Sequence, residues 1–282
     1  MNKFIYCLLL IVLASCVPKS NSPVKQAVTD FPTQIFIPTK HLVEATTPTL
    51  TIAPTDTPNP LVEQARAFAE PILQAIANRP PDFEDDFSTS GGGWQSFESP
   101  YSSISDGVLK ISVPAGETTN PGSTSYVGEN NSHLSDVNFV FQMDIRAKSL
   151  TPDLGTGIIF RFLNDEKTTS SPQGYFTFDL FPSLGEWRIV DHHTEVENPL
   201  IAQGKSNAIT LGQWMKIRII ARGNTFAVYL NDQPLSYFFN DFHPMGTISF
   251  FAGNGTGISA GDIQVEFDNV KFWNLENVPG LP

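Results

Sequence analysis

Hydrophobic and polar residues alternate along most of the C-terminal two-thirds of the chain, and residues 215–222 show the pattern most clearly. Apolar residues recur at every second position there, while Lys216 and Arg218 lie between them, so the apolar side chains share one face of an extended strand. Gly223 then supplies a tight turn, because glycine tolerates a positive φ. Alternation resumes in residues 225–231, and the whole stretch is therefore predicted to form a β-hairpin with one apolar and one polar face.

Segments of this kind recur through residues 82–276, and glycine, asparagine, aspartate or proline separates nearly all of them. Many antiparallel strands without intervening helical periodicity predict an all-β domain, either a sandwich or a barrel. The predicted strands are 83–87, 107–113, 138–147, 157–163, 174–181, 186–191, 215–222, 225–231, 247–252 and 263–273.

Residues 60–80 are predicted to form one short α-helix before the sandwich. Pro60 suits the first helical position, and Asn59 can cap it. Pro71 lies inside the segment and is predicted to kink the helix near Ala67. The helix either packs on the domain that follows or lies in a membrane interface, and the few cations on its polar face favour packing. The apolar residues that share one helical stripe are Leu61, Ala65, Phe68, Ala69, Ile72, Leu73 and Ile76.

The first 16 residues are typical of a signal peptide. Lys3 precedes an apolar core, residues 4–13, that is too short to span a bilayer. The Leu-Ala-Ser-Cys run that ends at Cys16 resembles the lipobox of bacterial lipoproteins, in which the cysteine sulfur receives a diacylglycerol. The alternative is an ordinary signal peptide. The resemblance implies a protein of the bacterial cell envelope, anchored in the lipid bilayer through acylated Cys16 and exposed outside the cytoplasmic membrane.

Residues 17–59 are rich in threonine, proline, serine and valine and show no sustained period. Repeated proline favours extended backbone, so this stretch is predicted to be a disordered tether. At ~3.1 Å per residue when extended, it would hold the domain on the order of 100 Å from the bilayer.

Composition and charge limit the function further. Charged residues make up only 16% of the chain and aromatic residues 11%, which is enough apolar material for a sizeable core. The net charge is −12, and a chain this acidic repels phosphate backbones, so we do not expect nucleic acid as a partner. Because the only cysteines are Cys7 and Cys16, the folded part has no disulfide and no thiol chemistry.

Short motifs follow one another along the domain, among them Asp85-Asp86-Phe87, Gly93-Trp94, Gly185-Glu186-Trp187, Gly212-Gln213-Trp214 and Phe267-Asp268-Asn269. Their order resembles that of the concanavalin A-like lectin/glucanase jelly roll, an antiparallel β-sandwich. The nearest branches are the laminin-G-like domains and the 3-keto-disaccharide hydrolase type. The resemblance implies a carbohydrate-binding or adhesion domain that binds polysaccharide; the alternatives are a glycoside-active enzyme and a structural protein-interaction domain of the envelope.

Strand alternation also predicts a ligand-binding face. Because the phenylalanines of several strands face the core, the polar residues between them face outward and are expected to share one sheet face. Trp187 and Tyr175 are candidates for stacking on sugar rings. The alternative is a row of cross-strand ion pairs on a solvated sheet. The polar residues expected on this face are Asp144, Arg146, Arg161, Tyr175, Asp179 and Arg188.

The sequence assigns no catalytic residue. Retaining glycosidases need two carboxyl groups roughly 5 Å apart, and the laminarinase-type relatives place them at alternate positions of one strand. No predicted strand has this pattern, and residues 142–146 offer Asp144 alone. The 3-keto-disaccharide type usually opens with a Phe-Asn-Gly-Lys-like run, which residues 85–88 do not match. If the chain is an enzyme, a hydrolase acting on glycosidic bonds through Asp144 or Asp179 is expected.

One metal site is implied by the resemblance. A calcium ion often joins the first and last strands of such sandwiches, which makes Asp85 and Asp268 candidate oxygen ligands. The alternative is that Asp268 caps a bulge by bonding local backbone amides. His192 and His193 are adjacent and point to opposite faces of a strand, so they are not predicted to share a metal ion.

Overall fold

The computed structural model describes residues 60–89, 92–96, 101–115, 125–150, 154–162, 174–193, 199–254 and 262–281. The predicted signal peptide, the lipidated Cys16 and the predicted tether lie outside these residues. No helix among the described residues is long and apolar enough to span a membrane.

The described residues form one α-helix, fifteen β-strands and a short 3₁₀ helix, Leu275–Asn277. The helix is α1, Pro60–Ile76. The strands are β1 (Phe83–Asp85), β2 (Trp94–Ser96), β3 (Ser102–Ser105), β4 (Val108–Val113), β5 (Ser125–Ser135), β6 (Phe139–Ser149), β7 (Gly155–Phe162), β8 (Gly174–Phe181), β9 (Glu186–His193), β10 (Leu200–Lys205), β11 (Met215–Arg222), β12 (Thr225–Leu230), β13 (Gln233–Phe239), β14 (Thr247–Asn254) and β15 (Ile263–Asn274).

The strands form two sheets. The eight-stranded sheet has the order β13-β12-β11-β6-β15-β4-β3, with β1 also paired to β15. The seven-stranded sheet has the order β10-β9-β8-β7-β14-β5-β2. Every pairing among the described strands is antiparallel. The predicted all-β sandwich is therefore confirmed.

Phenylalanine side chains from the two sheets meet in one core. Phe250 on β14 lies 5.3 Å from Phe267 on β15, measured between ring centroids, and 5.9 Å from Phe141 on β6. Phe160 on β7 lies 6.0 Å from Phe226 on β12. Because these rings alternate with polar residues along their strands, each sheet has one face in this core and a second face outside it.

Helix α1 packs on the outer face of the eight-stranded sheet. Its buried stripe contains Ala65, Ala69, Ile72 and Ile76, and these side chains cluster with residues of β6, β11, β12 and β15. The hydroxyl of Tyr229 on β12 donates a hydrogen bond to the Ala65 carbonyl at 3.1 Å. The interpretation that the helix packs on the following domain is therefore the one that the structure shows. The helix ends at Ile76, four residues earlier than predicted.

All ten predicted strands are present, and their ends lie within two residues of the prediction. Five strands were not predicted, namely β2, β3, β5, β10 and β13. β2 and β3 have only three and four residues, too few to show a period. β10 is an edge strand with little burial, and β13 is an edge strand that contains Pro234, so both lack the signal of a half-buried strand.

Candidate functional site

The six polar residues that were expected to share one face lie on two different sheets. Asp144 and Arg146 are on β6 of the eight-stranded sheet, whereas β7, β8 and β9 belong to the seven-stranded sheet. The expectation of a single face is therefore wrong. Alternation shows which side of its own strand a residue occupies, but it does not show which sheet the strand joins.

On the eight-stranded sheet, Asp144 and Arg146 take part in contacts within the protein. The Nε atom of Arg146 donates to Glu266 on the neighbouring strand at 2.8 Å, and its guanidinium lies 4.4 Å from the centroid of the Trp214 ring. An oxygen of Asp144 accepts a hydrogen bond from the side-chain amide of Asn269 at 2.9 Å. These contacts match the alternative of cross-strand pairs on a solvated face, and a ligand role for both residues stays a prediction.

Arg161 does not face outward as expected, because a β-bulge interrupts the alternation of β7. Thr247 on β14 pairs with Phe162, and Ser249 pairs with Ile159, so two residues of β7 lie opposite a single residue of β14. Arg161 has a φ of 59° at this bulge and is 0% exposed. Its predicted place on an open ligand-binding face is therefore wrong.

The guanidinium of Arg161 is held inside the sandwich by backbone carbonyls. It lies 5.1 Å from the centroid of the Phe226 ring, and burial lowers the pKa of Arg161 to about 10. Because its partners come from three separate connections between strands, Arg161 joins these segments at one end of the domain. The carbonyls that accept its hydrogen bonds are those of Val137, Gly223, His243 and Pro244.

Trp187 lies in the core and is only 7% exposed. Its ring centroid is 6.4 Å from that of Phe178, and it fills the space beside Gly204 on the edge strand β10. The prediction that Trp187 lies with Arg188 at the ligand site is wrong, because adjacent residues of a strand point to opposite faces.

Three of the predicted residues do lie together on the outer face of the seven-stranded sheet. Tyr175 and Asp179 are on β8, and Arg188 is on β9 directly opposite Asp179. Thr177 lies between the first two on the same face, and His192 lies opposite Tyr175. We call these five residues the outer-face cluster.

The sequence argument did not include Thr177 and His192 in the site. The position of Thr177 between Tyr175 and Asp179 was visible in the alternation of β8. The place of His192, however, depends on the pairing register of β9, which the sequence does not give.

A chain of hydrogen bonds links His192 to Asp179 through Thr177. The hydroxyl oxygen of Thr177 is 3.1 Å from Nε2 of His192, and the Thr177 side chain also hydrogen-bonds Asp179. Burial lowers the pKa of His192 to about 4, so the ring is neutral at pH 7.

The carboxyl group of Asp179 is the most unusual group of the cluster. Burial raises its pKa to about 7, although the Thr177 hydrogen bond and the charge of Arg188 act in the opposite direction. Its Oδ1 atom is inaccessible to solvent and has no hydrogen-bond partner among the described residues. The residue beside it on β7 is Gly157, which has no side chain. The group can therefore exchange a proton near neutral pH.

Aromatic rings surround the cluster. Tyr175 stacks on His192 with ring centroids 4.6 Å apart and meets the edge of Phe162 at 5.5 Å. The guanidinium of Arg188 lies 4.5 Å from the centroid of the Phe181 ring. Burial raises the pKa of Tyr175, which keeps its hydroxyl protonated as a hydrogen-bond donor. Ring faces beside polar donors and acceptors are what a saccharide, with apolar ring faces and many hydroxyls, requires.

Solvent reaches the margin of this face but not its centre. Thr177 and Ser249 are completely buried and Phe251 is nearly so, whereas Tyr175 and Arg188 are partly exposed. Access to the cluster is therefore from the side of Tyr175 and Arg188.

The side chains predicted to bind calcium are engaged in other bonds. Oδ1 of Asp85 accepts a hydrogen bond from the Phe87 amide, and Oδ2 accepts one from the indole N–H of Trp94, both at 2.8 Å. Oδ1 of Asp268 accepts from the Asn269 amide at 2.7 Å, at a bulge of β15. Burial, with the charges of nearby aspartates, raises the pKa of Asp268. The bulge cap is thus present, and calcium binding stays a prediction.

No group of three or more histidine, cysteine, aspartate or glutamate side chains that would hold a metal ion occurs within the described part of the chain.

Comparisons with solved structures agree with the sandwich. The chain resembles a lichenase from a mouse hindgut metagenome (TM-score 0.55, 10% identity, covering 68% of this chain and 98% of that one). It also resembles the β-glucanase of Bacillus licheniformis (TM-score 0.52, 11% identity, covering 70% of this chain and 99% of that one). A third similar structure is LamAcat of Zobellia galactanivorans (TM-score 0.52, 14% identity, covering 71% of this chain and 100% of that one). At these identities the likeness shows the fold alone.

Sequence comparison gives the family. No curated protein matches the chain. The family model described as the 3-keto-alpha-glucoside-1,2-lyase-like domain matches residues 82–272, which is more than half of the 282 residues. Residues 85–88 do not match the Phe-Asn-Gly-Lys-like run with which the family usually opens, but this difference does not exclude the chain from the family. The resemblance to the 3-keto-disaccharide hydrolase type is therefore confirmed. The chain belongs to the family of 3-keto-alpha-glucoside-1,2-lyase-like domains.

Proposed function

We propose that the chain is a sugar-binding domain that holds a saccharide against the outer-face cluster of the seven-stranded sheet. The observation that carries the proposal is the line of Tyr175, Thr177 and Asp179 on β8, with His192 and Arg188 opposite. It offers the aromatic ring of Tyr175 and the charged donor of Arg188 at the accessible margin, beside the carboxyl group of Asp179. The family membership supports the choice of a saccharide as ligand.

We further propose that Cys16 is acylated and that residues 17–59 are a tether that holds the domain away from the bilayer of the bacterial cell envelope. The support is the Leu-Ala-Ser-Cys run and the proline-rich composition of the following residues. Two or three acyl chains give stable anchoring, whereas one chain is marginal.

Sugar binding is tested by titrating the Cys16→Ser chain with a panel of oligosaccharides in a calorimeter. Asp179→Asn and Tyr175→Ala are expected to weaken binding at least about ten-fold, because each removes a group that faces the saccharide. Asp144→Asn, on the opposite sheet, is the matched control and should bind like the parent chain. Equal loss in all three variants, or loss in Asp144→Asn alone, would move the site away from the outer-face cluster.

A second candidate function is an elimination on 3-keto-glucosides, and the carboxyl group of Asp179 favours it. The hydrogen on C2 of such a sugar is acidic because it is next to the C3 carbonyl. A carboxylate with a pKa of about 7 would accept this proton, and the electron pair would be held as the enolate of the C3 carbonyl. The enolate then re-forms the C3 carbonyl and makes the C1=C2 double bond as the bond from C1 to the glycosidic oxygen breaks. The leaving oxygen takes a proton from water or from the protonated carboxyl group, and the alcohol departs.

The elimination is tested with p-nitrophenyl 3-keto-α-glucoside. We expect release of nitrophenol with a kcat/KM that rises with pH through about 7, a slower rate with deuterium at C2, and loss of activity in Asp179→Asn. Release that is unaffected by Asp179→Asn would contradict the role of this carboxyl group, and no release at all would leave sugar binding as the function.

A further inference from the structure

Two cations share one carboxylate at the accessible margin of the outer-face cluster. Arg188 on β9 and Lys205 on the edge strand β10 both contact Glu186, at 3.5 Å and 3.0 Å respectively. The Arg188 contact is at the limit of a hydrogen bond, so most of the binding capacity of its guanidinium is not used by Glu186. Both cations are substantially exposed, Arg188 at 41% and Lys205 at 76% of the side chain.

Arg188 and Lys205 carry two positive charges, and Glu186 balances only one of them. Asp179 does not balance the other in full. It lies directly opposite Arg188, yet its pKa is about 7, so about half of the molecules carry it uncharged at neutral pH. The other groups around it are Thr177 on β8, Gly157 on β7 and His192, which is neutral at pH 7. Among the described residues of the margin, Glu186 is therefore the carboxylate that contacts both cations, in a chain whose net charge is −12.

The guanidinium of Arg188 is already oriented. It lies 4.5 Å from the centroid of the Phe181 ring, and an aromatic face fixes the plane of a guanidinium while leaving its N–H edges available. Because an arginine edge matches two oxygens at once, the partner that suits Arg188 is a carboxylate or a sulfate.

From this charge and orientation we infer that the saccharide bound at the outer-face cluster carries an anionic group, a uronic acid carboxylate or a sulfate ester, and that Arg188 binds it. The inference rests on the proposed sugar binding. Lys205 adds attraction at longer range, and Glu186 competes with the ligand for both cations.

The test is calorimetric titration of the Cys16→Ser chain with galacturonate oligosaccharides, with the same oligosaccharides after reduction of their carboxyl groups, and with sulfated galactan oligosaccharides. We expect an anionic oligosaccharide to bind at least about ten-fold more tightly than the neutral one, and added salt to weaken only the anionic ligand. Arg188→Gln should remove this difference, while Arg146→Gln on the opposite sheet should keep it. Glu186→Gln should tighten anion binding.

The outcomes separate the two proposals. If neutral and anionic oligosaccharides bind equally well and Glu186→Gln changes neither, the inference is overturned while sugar binding remains. If no oligosaccharide binds, both fall. If the sulfated ligand binds and the uronate does not, the anionic group is a sulfate ester. Arg188→Gln weakening all ligands equally would make Arg188 a general sugar contact and would also overturn the inference.

Discussion

At the scale of single residues, Asp179 links stability to function. An aspartate titrates near 3.8 in an unfolded chain and at about 7 in this fold, so the folded state binds more protons than the unfolded state between these values. The free energy of unfolding therefore decreases as pH rises from about 4 to 7, by up to about 1.4 kcal/mol per pH unit. A group that destabilises the fold at neutral pH is typical of a functional site.

Asp179→Asn should remove this dependence. The variant is neutral at every pH, so we expect it to be more stable than the parent chain at pH 8, by about 1–4 kcal/mol, and its melting temperature to vary less between pH 5 and 8. Thermal unfolding at a series of pH values measures both effects. Arg188→Gln provides a second check, since loss of the cation should move the pH dependence to higher pH. An Asp179→Asn chain that keeps the slope of the parent would contradict the raised pKa.

Arg161 is a structural residue whose removal should be severe. Arg161→Met deletes the charge but leaves four carbonyls from three segments without their donor, and each unpaired buried carbonyl costs about 1–3 kcal/mol. We expect a loss of at least about 3 kcal/mol in urea unfolding. Arg66→Met, at an exposed position of α1, should change stability by less than about 0.5 kcal/mol. Similar stability of the two variants would show that Arg161 does not join the segments.

At the scale of elements, we expect that helix α1 can be detached from the eight-stranded sheet while the strands stay folded. Ala69 is completely buried against the sheet, whereas Ala67 on the same helix is exposed. Ala69→Asp should release α1, because it would bury an unpaired carboxylate, and it should lower stability by about 2–4 kcal/mol. Faster amide hydrogen exchange in residues 60–76, with the strands still protected, would show the release; Ala67→Asp should leave exchange unchanged. Unchanged exchange in Ala69→Asp would contradict the packing.

The positions of the strands were predicted well from the sequence, whereas their bulges and their sheet membership were not. The alternation of apolar residues located β8 and β11 to the residue, because half-buried strands repeat with period two. It misplaced Arg161, because a bulge shifts the period within one strand without any mark in composition. It joined β6 with β8 on one face, because sheet membership depends on pairings between distant segments. Most of the fold was therefore predictable from the sequence, but only three of the five residues of the outer-face cluster were predicted.

At the scale of the whole molecule, the two sheets have different outer faces. The eight-stranded sheet is covered in part by α1 and elsewhere by paired charges such as Arg146 and Glu266. The seven-stranded sheet instead carries Asp179, a buried carboxyl group with an oxygen that has no partner in the described part of the chain. Among the described residues, charges such as those of Arg146 and Glu266 are paired on the first face, whereas the second face carries a carboxyl group whose pKa is raised by burial.

The proposed acyl anchor at Cys16 would place the outer-face cluster outside the cytoplasmic membrane. The two cysteines of the chain provide a matched pair of variants that tests the anchor. Cys16→Ser should move the protein from the membrane fraction to the soluble fraction, because Cys16 is the proposed attachment point of the acyl chains. Cys7→Ser, which changes the apolar segment before the lipobox-like run, should leave the protein in the membrane. Detergent phase partitioning of cells labelled with a fatty acid measures both variants. If Cys16→Ser stays in the detergent phase and keeps the label, the chain is held by another group, and the tether of residues 17–59 would not start at the bilayer.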